Sequence, residues 1–343
     1  VRKLLNTLFV LSEDSYLALD GENVLVKKEG KIAGRFPLHT LEGICSFSYQ
    51  GASPALMGAC AEHNVALSFL TPRGKFLART CGVSKGNVLL RREQYRIADE
   101  PQTSCKMAVA MIQGKLYNSR WVLERATRDH AMRLDTERLK TLSRQIQNLL
   151  ERCGDCITTE ELRGIEGKAA VFYFEGMNQL ILQNRDTFFL TERSRRPPKD
   201  PMNALLSFLY TLLAHDCASA LEAVGLDSYV GFLHRDRPGR TSLALDLMEE
   251  LRPVMADRLA LSLVNRQMLN GKHFREEGAG AIYLNEDGRK RVLSAWQERK
   301  RETLTHPYLE EKLPWGLVPY VQALLLARTI RGDLEGYPPF FWK

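Results

Sequence analysis

The 343-residue chain has no hydrophobic run long enough to span a membrane, no regular cysteine framework and no strong excess of one charge. Its longest apolar run, Ala204 to Ala214, stops at His215-Asp216, short of the ~20 residues that a spanning helix needs. Arg2-Lys3 precede only a short apolar stretch, so no signal peptide is expected. The seven cysteines (Cys45, Cys60, Cys81, Cys105, Cys153, Cys156 and Cys217) are odd in number and mostly sit in apolar or helical contexts. Reduced thiols in a cytoplasm explain this better than disulfides. Cys153-Gly-Asp-Cys156 has CxxC spacing, but no second pair follows. A tetrahedral zinc site needs four ligands, so a polar loop between helices is expected there. There is no internal repeat and no low-complexity tract. Lys and Arg outnumber Asp and Glu by 48 to 41, for a net charge of +7. That excess hints at a polyanionic partner without establishing one.

What is present describes a folded protein. An apolar content of 44% with 26% charged residues excludes disorder and supports a real core. The length suits two domains or one large one. Short apolar runs come first: Tyr16 to Leu19, Val24 to Lys28, Lys31 to Phe36 and Leu41 to Phe47. Turn signals such as Asp20-Gly21-Glu22-Asn23 and Glu29-Gly30 separate them. Ser53-Pro54 reads as an N-cap with proline at the first helical position, so Pro54 to His63 is a short helix. Asn64 to Leu70 and Lys75 to Thr80 form a hairpin about Thr71-Pro-Arg-Gly74. After Gly82 the apolar period changes to three and four. Ser104–Arg128, Arg133–Cys153, Thr159–Asn184, Pro201–Val224 and Ser242–Leu269 read as helices. Thr158 and Glu161 form a capping box for the third of these. The fold class is α+β. An N-terminal β-sandwich (1–82) is followed by a linker and first helix (83–100) and then a larger all-α domain (101–343).

Three helical-domain segments carry residues suited to chemistry. In Leu162-Arg-Gly-Ile-Glu-Gly-Lys168, two glycines bracket Glu166 inside an otherwise good helix. Each glycine costs about 1 kcal/mol relative to alanine there. Close helix packing is one reason for that cost; close approach of a ligand to Glu166 is the other. His234 ends an apolar run and opens a loop with Arg235, Arg237 and Arg240, a spacing that suits phosphate contacts. In Ser242 to Pro253, Leu243, Leu247, Leu251 and Val254 form the buried stripe, while Asp246 and Glu249 share a neighbouring face. Glu250 lies nearer the stripe than Glu249, and spacing alone leaves open which of the two is a ligand. A solvated acidic face is the simpler reading of this helix by itself. Together, one His and two or three carboxylates form a hard oxygen and nitrogen set that suits Mg²⁺ or Mn²⁺. Such an ion polarises phosphates and activates oxygen nucleophiles.

The same segments resemble the CRISPR-associated protein 1 family. The likeness runs through Lys3-Leu-Leu-Asn-Thr-Leu8, Leu41-Glu-Gly43, Gly51-Ala-Ser-Pro-Ala55 and Leu162-Arg-Gly-Ile-Glu-Gly167. It continues in Arg196-Pro-Pro-Lys-Asp-Pro-Met-Asn-Ala-Leu-Leu-Ser207, Gly225-Leu-Asp227 to His234, and Asp246-Leu-Met-Glu-Glu-Leu-Arg-Pro253. The wording is most similar to the type I-C branch. The resemblance implies a β-sandwich before a helical catalytic domain, and a metal held by Glu166, His234 and Glu249. Many relatives have Asp where Glu249 stands, a departure in length and not in charge. Asp246, one turn away, would bind the metal or orient a water ligand. Asn203 would lie near the site or its supports. The implied activity is spacer integration: a 3′-OH end attacks a phosphodiester of the CRISPR repeat, and the same site cuts DNA with water. The implied partners are double-stranded DNA (spacer precursor and repeat), a second copy in a homodimer, and CRISPR-associated protein 2, with no membrane. Arg163, Arg193, Arg195, Arg196, Arg235, Arg237 and Arg240 are the candidate backbone contacts, with about a third of them expected in ion pairs or at helix ends. Two rival readings use the same residues: a general metal-dependent nuclease on branched or linear DNA, and a non-catalytic DNA-binding scaffold.

Overall fold

A computed structural model describes residues 6–72, 76–80, 88–190, 193–194, 197–278 and 280–342. The expected linker at Gly82 to Asn87 lies outside them, as do Cys81, Arg195 and Arg196. The N-terminal region holds β1 (Thr7–Val10), β2 (Ser15–Asp20), β3 (Asn23–Lys28), β4 (Lys31–Pro37), β5 (Gly43–Ser46), α1 (Pro54–Glu62), β6 (Ala66–Leu70) and β7 (Phe76–Arg79). β2, β3 and β4 form an antiparallel meander through the expected turns, and β1, β5, β6 and β7 form a second sheet. β5 pairs with β1 and β6 in parallel, because α1 carries the chain across between β5 and β6. Ser53 caps α1 through its side chain, with Pro54 at the first helical position. Val10, Leu17, Val24, Ile44, Leu56 and Leu67 close one core between the two sheets and α1.

The rest of the described chain is mostly helical. It comprises α2 (Val88–Asp99), α3 (Pro101–Asp129), α4 (Thr136–Cys153), α5 (Thr159–Gln179), α6 (Arg185–Phe188), α7 (Pro201–Ala223), α8 (Ser242–Glu249), α9 (Arg258–Asn265), α10 (Glu286–Arg301) and α11 (Val318–Ile330). It is not all-α. Two hairpins, β8 (Phe274–Glu277) with β9 (Ala281–Leu284) and β10 (Thr303–Thr305) with β11 (Lys312–Pro314), interrupt its last third. The capping box is present: Thr158 Oγ1 accepts from Glu161 N at 3.2 Å, and Glu161 Oε2 accepts from Thr158 N at 3.3 Å. α3 and α7 start with Pro at N1 behind an acidic cap, Glu100 and Asp200. α3 packs on α4 and α5, and α7 on α8 and α11. α7 is 23 residues long and apolar enough by composition to cross a membrane, but 61% of its most apolar stretch is buried in this core.

The helix expected over Ser242–Leu269 is divided. Proline at 253 has no N–H to donate and its ring crowds the carbonyl of residue 249. The chain responds with a widened π-helical turn over Arg252–Asp257, in which the Arg258 N–H reaches Pro253 O. Such turns gather at functional sites, and this one follows directly on Glu249.

Candidate functional site

Glu249 ends α8 just before the widened turn, and its side chain meets the middle of α3. Lys115 of α3 ion-pairs with Glu166 of α5 and lies 2.8 Å from Glu249 Oε2. Arg252 stands 2.8 Å from the other oxygen, Oε1. Burial alone would raise the pKa of Glu249. Arg252 first, then Lys115 and His234, overcome that and hold the carboxyl below the usual range. Glu249 Oε2 has no well-angled hydrogen bond despite its burial, so its charge is balanced by ionic contacts alone.

Arg252 is fixed from its other side. Its guanidinium stacks over Tyr210 of α7, 4.9 Å from the ring centroid, and Arg193 stacks on the same ring at 5.3 Å. Tyr210 and Tyr173 donate to Asp257 at 2.7 and 3.0 Å. Burial pushes Asp257 up to about 6, although these two bonds and the nearby Arg193 and Arg252 pull it down.

Asp246 does a different job from Glu249. It is completely buried and accepts from the backbone N–H groups of Phe232 (2.6 Å), Leu233 (2.9 Å) and His234 (3.0 Å). It also lies 2.6 Å from His234 Nδ1. A carboxylate offers about four acceptor directions, and all are used, so Asp246 has none left for a metal. A carboxylate only accepts here, which places the imidazole proton on Nδ1 and leaves the Nε2 lone pair free of that contact. This is the carboxylate–histidine arrangement that orients metal-binding imidazoles. Gly231 permits it: a Cβ there would lie 2.7 Å from Asp246 Oδ2.

The glycines around Glu166 do not serve packing. A Cβ at Gly164 or Gly167 would meet nothing within 4 Å, in contrast to Gly176 further along α5, where a Cβ would lie 2.8 Å from Leu123 of α3. Both glycines lie on the exposed side of α5, whereas Glu166 shares the inward side with Leu162, Ala169 and Tyr173, its side chain 26% exposed.

Among the described residues, no three His, Cys, Asp or Glu side chains assemble at metal-holding distance. Glu166 and Glu249 share one ammonium, and His234 acts on Glu249 through space. The chemistry of the set nonetheless fits a hard divalent ion. Two carboxylates from separate helices are drawn onto one positive charge, one of them carries a buried oxygen with no angled donor, and an oriented imidazole stands near.

The candidate arginines divide. Arg163 pairs with Glu160 at 2.9 Å and donates to Leu233 O, pinning the His234 loop. Arg235 also pairs with Glu160. Arg193 bonds the Asn203 side chain. Asn203 is buried at the start of α7, where its N–H bonds Asp200 Oδ1 at 2.7 Å and its Oδ1 accepts from Ser194 N at 3.1 Å. It ties down the preceding segment. Arg237 is exposed on the loop, and Arg240 lies at the loop's end with its N–H on Arg237 O. Cys153 and Cys156 end α4 as free thiols, with Cys153 buried.

A family model described as CRISPR associated protein Cas1 matches residues 8–298. A "CRISPR-associated endonuclease Cas1 2" of Rhodospirillum rubrum is 51% identical over 347 residues, covering all of both chains. The chain belongs to the Cas1 family. The Cas1 fold is seen in a casposase bound to integration product (TM-score 0.84, 22% identity, covering 98% of this chain and 94% of that one). It is seen also in a Cas6-RT-Cas1–Cas2 complex (TM-score 0.83, 22% identity, 98% of this chain and 36% of that one). Against this Cas1 background, Lys115 and Arg252 are the site residues that sequence reasoning passed over. Arg252 stood inside the Glu249-Glu-Leu-Arg-Pro253 segment, three residues from Glu249. Lys115 has no local signal, since only the crossing of α3 with α5 brings it to the carboxylates.

Proposed function

We propose that this chain is a metal-dependent DNA integrase and nuclease that inserts short spacers into a CRISPR array. In this reading a 3′-OH attacks a phosphodiester of the repeat, and water in its place cuts DNA. The observation that carries it is the pair Glu166 and Glu249 gathered on one positive charge near an oriented His234, with Glu249 buried and the Glu166 side chain 26% exposed.

Glu166, Glu249 and His234 Nε2 are the groups that would hold Mg²⁺ or Mn²⁺. When bound, such an ion polarises a phosphate oxygen and activates an oxygen nucleophile. The chain's own residues do the rest. Asp246 keeps the proton on His234 Nδ1 and fixes the ring. Arg163 anchors the loop that carries it. The partly exposed Glu166 side chain leaves one side of the pair open to a nucleic-acid backbone. Arg237 and Arg240 offer positive charge to phosphates, which position the duplex without reading its sequence.

Double-stranded DNA, CRISPR-associated protein 2 and a second copy of this chain are the proposed partners. Membership of the Cas1 family supports this, as does the fold shared with chains solved on an integration product and beside Cas2. The wording of the matched segments taken together is most similar to the type I-C branch, and a cytoplasmic setting accords with the free thiols.

The test is a strand-transfer assay with a labelled duplex and a supercoiled repeat target. Integration gives a joined strand that requires the donor 3′-OH and a divalent ion. The endonuclease name of the Rhodospirillum relative favours simple cleavage as the second reading; shortened strands without a joined product would select it. Duplex binding with neither joined nor shortened strands at any divalent-ion concentration would leave only a binding scaffold.

A further inference from the structure

We infer that Lys115 is the resident counter-ion of this site, holding Glu166 and Glu249 together until a divalent ion displaces it. This rests on the metal reading above. Lys115 is 12% exposed and touches both carboxylates, while Glu249 is 4% exposed. Without a cation between them the two carboxylates would repel. Two cations serve the pair, and they differ in kind. Arg252 is planar and locked between Glu249 Oε1, at 2.8 Å, and the Tyr210 ring, at 4.9 Å. Lys115 is a point charge on a flexible four-carbon stem, and among the described residues it is the one cation seen to bridge Glu166 to Glu249. It is therefore the group that yields.

The consequence is a competition. Lys115 and Arg252 already neutralise the two glutamates, so a divalent ion must enter against a filled charge. Binding is weakened for the free protein. The negative charge of a DNA backbone beside the partly exposed Glu166 side chain offsets that penalty, which couples metal loading to DNA.

The experiment uses the full chain and Mn²⁺, with free ion read by electron paramagnetic resonance. Lys115→Met removes the charge and keeps the stem. Its Mn²⁺ Kd should tighten by about tenfold, and its metal-free Tm should fall by several degrees. A second readout needs no substitution: Mn²⁺ should raise acetylation of Lys115 by acetic anhydride in the wild type, followed by peptide mass spectrometry. A Kd that is unchanged or weaker in folded Lys115→Met, or Lys115 acetylation that Mn²⁺ leaves unchanged or lowers, overturns the inference while the metal reading stands. Absence of any Mn²⁺ binding by the wild type overturns both.

Discussion

Glu249 and Glu250 are neighbours in sequence and both are buried, yet they live in opposite electrostatic surroundings. Glu249 faces Lys115, Arg252 and His234, and those charges hold its carboxyl down against burial. Glu250 faces the C-terminal tail. Burial pushes it up to about 7, although it accepts hydrogen bonds from Tyr337, from Phe340 N at 2.6 Å and from Gln322 Nε2 at 3.0 Å. Its own carbonyl takes Asn118 Nδ2 at 2.7 Å. On the α3 side, a Cβ at Gly114 would lie 2.8 Å from Glu250 Cβ. Burial does not separate the two residues. The neighbouring charges do: Arg252, Lys115 and His234 hold Glu249 as an anion, while Glu250 meets neutral hydrogen-bond donors and burial moves its carboxyl towards the protonated form.

The comparison breaks most visibly in activity. Glu249→Gln is expected to lower strand transfer by about a hundredfold or more while duplex affinity stays nearly intact, since it removes no phosphate contact. Glu250→Gln should keep most of the activity. Strand transfer and binding measured on the same preparations check both statements.

Asp246→Asn comes next. The amide cannot accept everything that the carboxylate accepts from Phe232, Leu233 and His234. Activity should fall by about 10–100-fold, with the imidazole's pH response altered in a nuclear magnetic resonance titration. An unchanged titration would remove the positioning role from Asp246.

The stability effects are smaller and run in opposite directions with pH. The folded pKa of Glu250 lies above its unfolded value, so the folded chain binds the extra proton between about 4.5 and about 7. Its contribution is fully present below that window and is lost as pH rises through it, up to about 3 kcal/mol. Asp257, raised from 3.8 to about 6, adds a slope of the same sign. Glu249 is depressed, so its contribution is present above the unfolded value and is lost as pH falls through the folded one. Urea midpoints for Glu250→Gln should therefore lose part of the decline between pH 4.5 and 7. Glu250→Ala, which strands the Phe340 N–H and the Tyr337 and Gln322 donors, should cost about 3–5 kcal/mol.

The smallest effect is at Arg237, exposed on the His234 loop. Arg237→Ala should weaken duplex binding mildly and flatten the log K against log salt slope by about 1. Arg163→Ala should act instead through the loop it pins at Leu233, reducing turnover more than affinity.

Much of this was legible in the sequence, because it depends on local rules. The alternation around Asp20-Gly21 and Glu29-Gly30 predicts the meander, Ser53-Pro54 predicts α1, and Thr158 with Glu161 predicts the start of α5. Leu243, Leu247, Leu251 and Val254 are all fully buried on the stripe that their spacing predicts. The parts that escaped are tertiary. The spacing of Asp246 and Glu249 cannot tell a residue that folds a loop around itself from one that meets another helix. Pro253 was visible, but a proline ends a helix as readily as it widens a turn. Lys115 and Asp257 take their meaning from helices far away in the chain. The two late hairpins have strands of three or four residues, too short to show a period.

Mn²⁺ titration of the wild type, Glu249→Gln and Glu250→Gln, with free ion read directly, separates the two glutamates without reliance on turnover. Wild type and Glu250→Gln should bind with the same stoichiometry and similar affinity, and Glu249→Gln should lose the site. Retained binding in Glu249→Gln together with loss in folded Glu250→Gln would contradict the assignment of Glu249 as the anion that meets the cation.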